Sequence, residues 1–127
     1  MTGVASADNA ELIMTLGADR TIDYRTVDFT EEGRRYEVVF DTVAKIPRKR
    51  AELALVDGGR FVSTRSRRKE NKVELETVRD LLEKASIRAV IDRRYSLGGI
   101  PDAHRYVELG RKKGNVVVIV DEGEDDA

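Results

Sequence analysis

The segment Leu16-Gly17-Ala18-Asp19-Arg20-Thr21-Ile22-Asp23-Tyr24 constrains the fold most, because it closes a helix and opens a strand within nine residues. Ahead of it, Ala10, Ile13, Met14 and Gly17 fall at i, i+3, i+4 and i+7, the spacing of one helical face. Gly17 stands where a helix takes its left-handed C-terminal residue, and Ser6 stands where it takes an N-cap. Residues 21–24 then read as a short strand. A helix returning this abruptly into a strand belongs to a layered α/β arrangement.

The rest of the chain repeats that alternation. Residues 1–5 are short and apolar, and residues 37–43 read as a strong, largely buried strand of the kind found inside a parallel sheet. Pro47 suits a first helical turn. Ala51, Ala54 and Leu55 give that helix an apolar face, and Gly58-Gly59 is expected to stop it before a strand at 60–64. Residues 65–72 form a polar, basic connection. Val78, Leu81, Leu82 and Ala85 mark a further helix, 87–91 a strand, 101–113 a helix, and 115–120 a β-branched strand. Residues 121–127 are acidic and predicted to fray. Strands and helices alternating at this spacing predict an α/β fold with a mostly parallel sheet, organised as one domain over residues 1–120.

Composition removes several function classes. Of 127 residues, 23 are Lys or Arg and 24 Asp or Glu, so the formal net charge is −1. This lacks the sign excess of a general nucleic-acid or membrane-surface binder. No apolar run approaches a membrane helix and no signal-peptide pattern opens the chain, which makes a cytoplasmic protein the expectation. There is no cysteine and one histidine, His104. A catalytic zinc needs about three protein ligands, and His104 lies on a predicted helix beside Arg105, away from any ligand cluster, so no zinc is expected. No Ser/His/Asp set, carboxylate pair or nucleophile motif appears. The basic run Arg65, Arg67, Arg68, Lys69, Lys72 has no aromatic residue for stacking and is interrupted by Glu70, which favours a solvated linker over a nucleic-acid grip.

Several segments in fixed order resemble one family. They are Thr2-Gly3-Val4-Ala5-Ser6, Glu11-Leu12, Leu16-Gly17-Ala18-Asp19, Ile22-Asp23-Tyr24 and Asp28-Phe29-Thr30. Tyr36-Glu37-Val38-Val39-Phe40-Asp41-Thr42-Val43, Gly58-Gly59-Arg60-Phe61-Val62-Ser63, Val90-Ile91-Asp92-Arg93-Arg94-Tyr95-Ser96-Leu97, Ala103-His104-Arg105-Tyr106-Val107 and Gly114-Asn115-Val116-Val117 follow. Together they resemble the medium-chain dehydrogenase/reductase superfamily, in its quinone-oxidoreductase-like branch, often labelled zinc-binding alcohol dehydrogenase. The resemblance covers the C-terminal part of the cofactor domain and the return segment after it. It implies an incomplete Rossmann-like, doubly wound sheet without its first strand and without the glycine-rich loop that cradles a pyrophosphate.

The same resemblance implies site residues. The position closing the first strand of this chain is Ser6, a neutral donor where an acidic residue would select the unphosphorylated cofactor. Ser6, Asn9 and Tyr24 would surround the adenosine 2′-phosphate, with Arg20 or Arg25 adding charge and Asp8 opposing it, so NADPH is the implied cofactor. The plainer alternative is that Ser6 caps a helix and Tyr24 packs its ring. Val43 and Ala44 follow the buried strand where relatives carry Val-Gly; glycine would permit close approach or a positive φ, and Ala44 is expected to restrict both. Ser63 would line the same crevice, and Asn115 would lie near the cofactor.

The implied activity is hydride transfer in an NADPH-dependent, zinc-independent oxidoreductase of quinone reductase type, a reaction that rests on positioning rather than on a protein acid. The absent loop leads to an expectation of a truncated enzyme, weak or inactive alone. A non-catalytic binding or assembly module is the alternative. In the strand order 3-2-1-4-5-6 the missing strand is central, so two strands would show open edges, and self-association or a partner chain supplying that strand is expected.

Overall fold

Every strand ladder in the computed structural model, which describes residues 1–65 and 71–120, is parallel. The ladders form three two-stranded sheets: β1 (Thr2–Ala5) with β2 (Arg20–Asp23), β3 (Tyr36–Asp41) with β4 (Leu55–Ser63), and β5 (Ile91–Ser96) with β6 (Asn115–Ile119). Within each pair the connection carries a helix, as a parallel crossover requires. These are α1 (Ala10–Thr15), α2 (Arg48–Glu52) and α4 (Ile100–Glu108); α3 (Lys72–Glu83) precedes β5. The α/β class and the parallel pairing agree with the sequence. The chain divides into two compact units, Met1–Lys69 and Glu70–Ala127.

In the first unit, β1 and β2 pair from Thr2↔Arg20 to Ala5↔Asp23. Gly3 lets α1 settle on this sheet: a Cβ there would run into Ile13 Cγ2. The expected helix begins as a 3₁₀ turn (Ala7–Asn9) and ends at Gly17, whose φ of +105° fits the predicted left-handed stop. Ser6 precedes that turn, yet its side chain makes no capping hydrogen bond.

The core of this unit is small. Val39, Ala51 and Leu55 are buried together, with Phe29, Tyr36, Ile46 and Phe61 packed around them. β3 is therefore half-buried rather than the largely buried strand expected. Val39 and Asp41 face inward, while Val38 and Phe40 on the opposite face are 49% and 61% exposed. Alternation puts successive residues on opposite faces, and α2 covers only one. The strand also ends earlier than predicted, at Asp41, so Val43 lies in a turn.

Gly58-Gly59 does not stop α2. That helix ends at Glu52, and both glycines lie inside β4, where the register shifts between Tyr36↔Leu55 and Val38↔Arg60. Gly58 takes a φ of +77°, and a Cβ at Gly59 would stand 3.1 Å from the Glu37 carbonyl oxygen. The pair permits a bulge, a use of strand glycine that looks like a helix stop in sequence.

Between β2 and β3, Asp28 accepts hydrogen bonds from the Thr30 N–H at 2.9 Å and from the Thr30 hydroxyl at 2.6 Å, and it pairs with Arg50 of α2. Arg20 of β2 pairs with Glu32. These links tie the segment between the first two sheets to both.

In the second unit, β5 lies at Ile91–Ser96 rather than at 87–91, because backbone pairing with β6 carries the polar run Asp92-Arg93-Arg94 into the ladder. Asp92 joins the parts: its Oδ2 accepts from the Tyr106 hydroxyl of α4 and from the Lys113 N–H, both at 2.7 Å. The Arg93 guanidinium lies 3.8 Å from the Tyr106 ring centre. α3 is longer at its start than the apolar spacing showed, since Asn71 Oδ1 accepts from the Glu74 N–H at 2.9 Å and caps it. α4 ends at Glu108, with Gly110 at a φ of +68° closing it well before residue 113. Most of the expected linker and the acidic tail lie outside the described residues.

Candidate functional site

Parallel strands deliver their C-terminal ends to one side of a sheet, and ligands of such folds bind there. At the ends of β1 and β2, the Tyr24 N–H donates to the Ala5 carbonyl at 3.2 Å, which sets Ser6 and Tyr24 side by side just beyond the paired strands. Asn9 joins them: its Nδ2 donates to Ser6 Oγ at 3.3 Å, and its backbone N–H donates to the Ser6 carbonyl at 3.0 Å. Because Ser6 Oγ accepts from Asn9 and caps no helix, its own O–H is left to donate elsewhere. A cavity of about 240 Å³ opens here, lined by Ala5, Ser6, Ile13, Thr21 and Asp23 among others.

Tyr24 does not pack its ring inside. It is 59% exposed, and the Arg25 guanidinium lies 5.9 Å from the ring centre, within cation–π range. The Arg25 N–H donates to Asp23 Oδ1 at 2.9 Å, fixing the turn that follows β2. Of the two arginines expected to supply charge, Arg20 is held in its pair with Glu32, which raises its pKa chiefly through that hydrogen bond. Arg25 is the one beside Tyr24. Thr21 and Asp23, which sequence reasoning did not single out, line the cavity because alternation along β2 turns both to the face that α1 covers.

The second group lies at the ends of β3 and β4. The register Asp41↔Ser63 brings the two strand ends level. The Thr64 N–H donates to the Asp41 carbonyl at 3.2 Å, and the Thr64 hydroxyl to the Thr42 carbonyl at 3.1 Å, so Val43, Ala44 and Ser63 are held in one neighbourhood. The Ser63 hydroxyl oxygen accepts from the Arg65 N–H at 3.3 Å.

Ala44 corrects an expectation. It adopts a φ of +59° despite its Cβ, so the chain keeps the backbone conformation that glycine would supply and loses only the open space. Asp41 explains how. This carboxylate is 5% exposed, and it accepts from the N–H groups of Val43 at 3.1 Å, Ala44 at 3.0 Å and Ile46 at 2.8 Å. Burial pushes its pKa up, but the backbone donors outweigh burial and hold the group below its ordinary value.

Asn115 opens β6 in the second unit, its N–H donating to the Val90 carbonyl at 2.7 Å. His104 is an exposed residue of α4. Among the described residues no group of three or more His, Cys, Asp or Glu side chains is placed to hold a metal ion. Among them also, no helix is long and apolar enough to cross a membrane.

Comparison with known proteins agrees with this architecture. A family described as zinc-binding dehydrogenase matches residues 16–73 and 64–118. The chain is 29% identical to 2-methylene-furan-3-one reductase of Solanum lycopersicum and 26% identical to the chloroplastic NADPH-dependent alkenal/one oxidoreductase of Arabidopsis thaliana. In both cases 93% of this chain and 33% of the relative are covered. The chain thus spans about a third of the length of these curated relatives. Among solved structures, the quinone oxidoreductase of Coxiella burnetii shares the fold at a TM-score of 0.68 and 22% identity, over 94% of this chain and 44% of that one. An NAD-dependent alcohol dehydrogenase does so at a TM-score of 0.74 and 20% identity, over 94% and 43%. The chain belongs to the zinc-binding dehydrogenase family, within the medium-chain dehydrogenase/reductase superfamily, and corresponds to the C-terminal cofactor part of its members.

Proposed function

We propose that this chain forms part of the dinucleotide site of an NADPH-dependent oxidoreductase of quinone or enone reductase type, with Ser6, Asn9, Tyr24 and Arg25 taking the adenosine 2′-phosphate. One observation carries the reading: at the C-terminal ends of two parallel strands, Ser6 lines a cavity with a hydroxyl proton to donate, and the other strand continues into an exposed tyrosine with an arginine over its ring. A phosphate there gains charge-assisted hydrogen bonds that a plain ribose hydroxyl does not. Val43, Ala44 and Ser63, at the ends of β3 and β4, serve the remainder of the cofactor. The residues fit that adenosine end, whereas the sequence holds no G-x-G-x-x-G motif for the pyrophosphate. Bound NADPH would supply the hydride. Without cysteine and with a single histidine, these 127 residues hold no ordinary zinc ligand set.

The test is titration of the purified chain with NADPH and NADH, followed by nicotinamide fluorescence. NADPH is expected to bind at least tenfold more tightly than NADH, with Tyr24→Ala weakening NADPH alone and Ser6→Asp reversing the preference. Equal affinities for the two cofactors, or no binding of either at millimolar concentration, refute the reading.

The exposed side of β3 favours a second reading, a non-catalytic assembly module. Phe40 and its ladder partner Val62 (42% exposed) lie together, beside Val38, on the face away from the buried core. Neither β1 nor β3 has a second ladder partner among the described residues. Such an edge accepts an added strand from a partner chain or a second copy. Sedimentation as a monomer, with fully protected amides across Val38–Phe40, would sink this reading.

A further inference from the structure

We infer that Asp41 is a positioning residue: its buried carboxylate gathers three backbone N–H groups and so holds Ala44 in a left-handed turn just beyond the C-terminal end of β3. The inference rests on the cofactor reading only in naming what the turn positions against.

For an L-residue with a Cβ, the left-handed region is disfavoured, and residues other than Gly, Asn and Asp visit it only where the surroundings fix them there. Ala44 has no polar side chain to stabilise itself locally, yet it sits at a φ of +59°. The stabilisation comes from three residues upstream. Asp41 Oδ1 takes the N–H of Val43 and of Ala44, and Oδ2 takes that of Ile46, so both oxygens are engaged and the turn is wrapped around them. Asp41 is itself immobilised, because its backbone lies in the ladder opposite Ser63 and its carbonyl accepts from the Thr64 N–H. Rigid β-strand, buried carboxylate and turn therefore form one connected piece, and Ile46 carries it into the core with Val39, Ala51 and Leu55.

Two consequences distinguish this arrangement from ordinary surface-turn capping. The concave set of N–H groups is filled by an internal anion, so the turn is not itself a phosphate site. And the conformation at residue 44 depends on a side chain at residue 41, so a change at one position is compensated at the other. Glycine at 44 adopts the same φ without help, which makes Ala44→Gly a specific remedy for the loss of Asp41.

The experiment compares the wild-type chain, Asp41→Asn, and Asp41→Asn/Ala44→Gly. For each, the three-bond HN–Hα coupling at residue 44, amide exchange at Val43, Ala44 and Ile46, and NADPH affinity are measured. Asn offers one acceptor oxygen in place of two. Asp41→Asn is expected to move the coupling of residue 44 out of the left-handed range, to speed exchange at those amides about tenfold or more, and to weaken NADPH binding by about tenfold. The double variant is expected to recover the coupling and most of the affinity while the amides stay fast, a pattern that general destabilisation does not produce. An unchanged coupling in Asp41→Asn overturns the inference, as does a double variant binding no better than the single one. Should Asp41→Asn not fold, recovery of the fold in the double variant supports the inference and continued unfolding overturns it. A wild-type chain that ignores NADPH refutes the cofactor reading instead, and the coupling and exchange data still decide whether Asp41 holds the turn.

Discussion

Gly114→Ala is expected to destabilise the second unit by about 2–4 kcal/mol. A Cβ built on Gly114 stands 2.6 Å from the Val90 carbonyl oxygen, 2.9 Å from Val90 Cγ1 and 3.0 Å from the Val90 carbonyl carbon. Ordinary contact begins at 3.4 Å, so the two segments must separate by about 0.8 Å, and the obstacle is backbone that cannot swing aside. Overpacking of this kind costs about 1–3 kcal/mol. The same displacement stretches the 2.7 Å hydrogen bond from the Asn115 N–H to the Val90 carbonyl beyond useful length, adding about 1 kcal/mol. The sum is a sizeable part of the roughly 5–15 kcal/mol that holds a domain folded. Urea titration monitored by amide exchange at Asn115 and Val117 reports on this unit specifically. Gly98→Ala is the control, since the nearest atom to its Cβ is Ser96 Oγ at 4.0 Å, and it should lie within about 0.5 kcal/mol of wild type. If Gly114→Ala matches that control, the close approach at Val90 does not constrain the fold and the reasoning fails.

Three further outcomes follow from the geometry. Ala85 closes α3 at a φ of +54°, so Ala85→Gly should stabilise that helix by about 1 kcal/mol, read as slower amide exchange across residues 78–84. Leu55→Ala removes the largest aliphatic side chain of the buried Val39–Ala51–Leu55 group and should cost about 2–4 kcal/mol, measured by the urea midpoint of the first unit. Asp28 is held down to about 2 by the Thr30 hydroxyl, then Arg50, then the Thr30 N–H. A depressed carboxylate contributes stability that is complete above its unfolded value of about 3.9 and is lost as pH falls toward about 2. Asp28→Asn should therefore lower stability at neutral pH and flatten its acid dependence in that window, as followed by circular dichroism at a series of pH values.

How far the sequence could be read depended on which force placed each element. Helices with a clear apolar spacing and a glycine stop were legible, as at Ala10–Gly17, because periodicity and a left-handed stop are local properties. β5 is not legible locally, because Asp92, Arg93 and Arg94 look unlike a strand; a ladder to β6 and the Tyr106–Asp92 hydrogen bond hold them there, and both are long-range. Gly58-Gly59 looks like a stop in the sequence yet forms a bulge, since the sequence shows freedom at those positions but not its use. At the candidate site, Ser6, Asn9 and Tyr24 could be chosen by resemblance, and the structure adds that the first two touch and that Tyr24 stands exposed. Asp41 escaped notice because a buried carboxylate inside an apolar run differs from an exposed one only in its backbone partners, and the sequence does not record them.

The three separate ladders also say how the chain should fold. Paired residues are 18 apart in the first sheet (Thr2↔Arg20), 22 in the second (Phe40↔Val62) and 23 in the third (Tyr95↔Val118). Closing the longest of these loops costs only about 0.2 kcal/mol more than closing the shortest, so no sheet has an entropic claim to nucleate first. No ladder passes from one sheet to the next among the described residues; the first two sheets share a compact unit through links such as Arg20–Glu32 and Arg50–Asp28, and the third forms and melts on its own unit's contacts. Cooperativity across the whole chain is then the property this arrangement lacks. Exchange rates should sort into two families, one per compact unit, and a single melting temperature should not describe both.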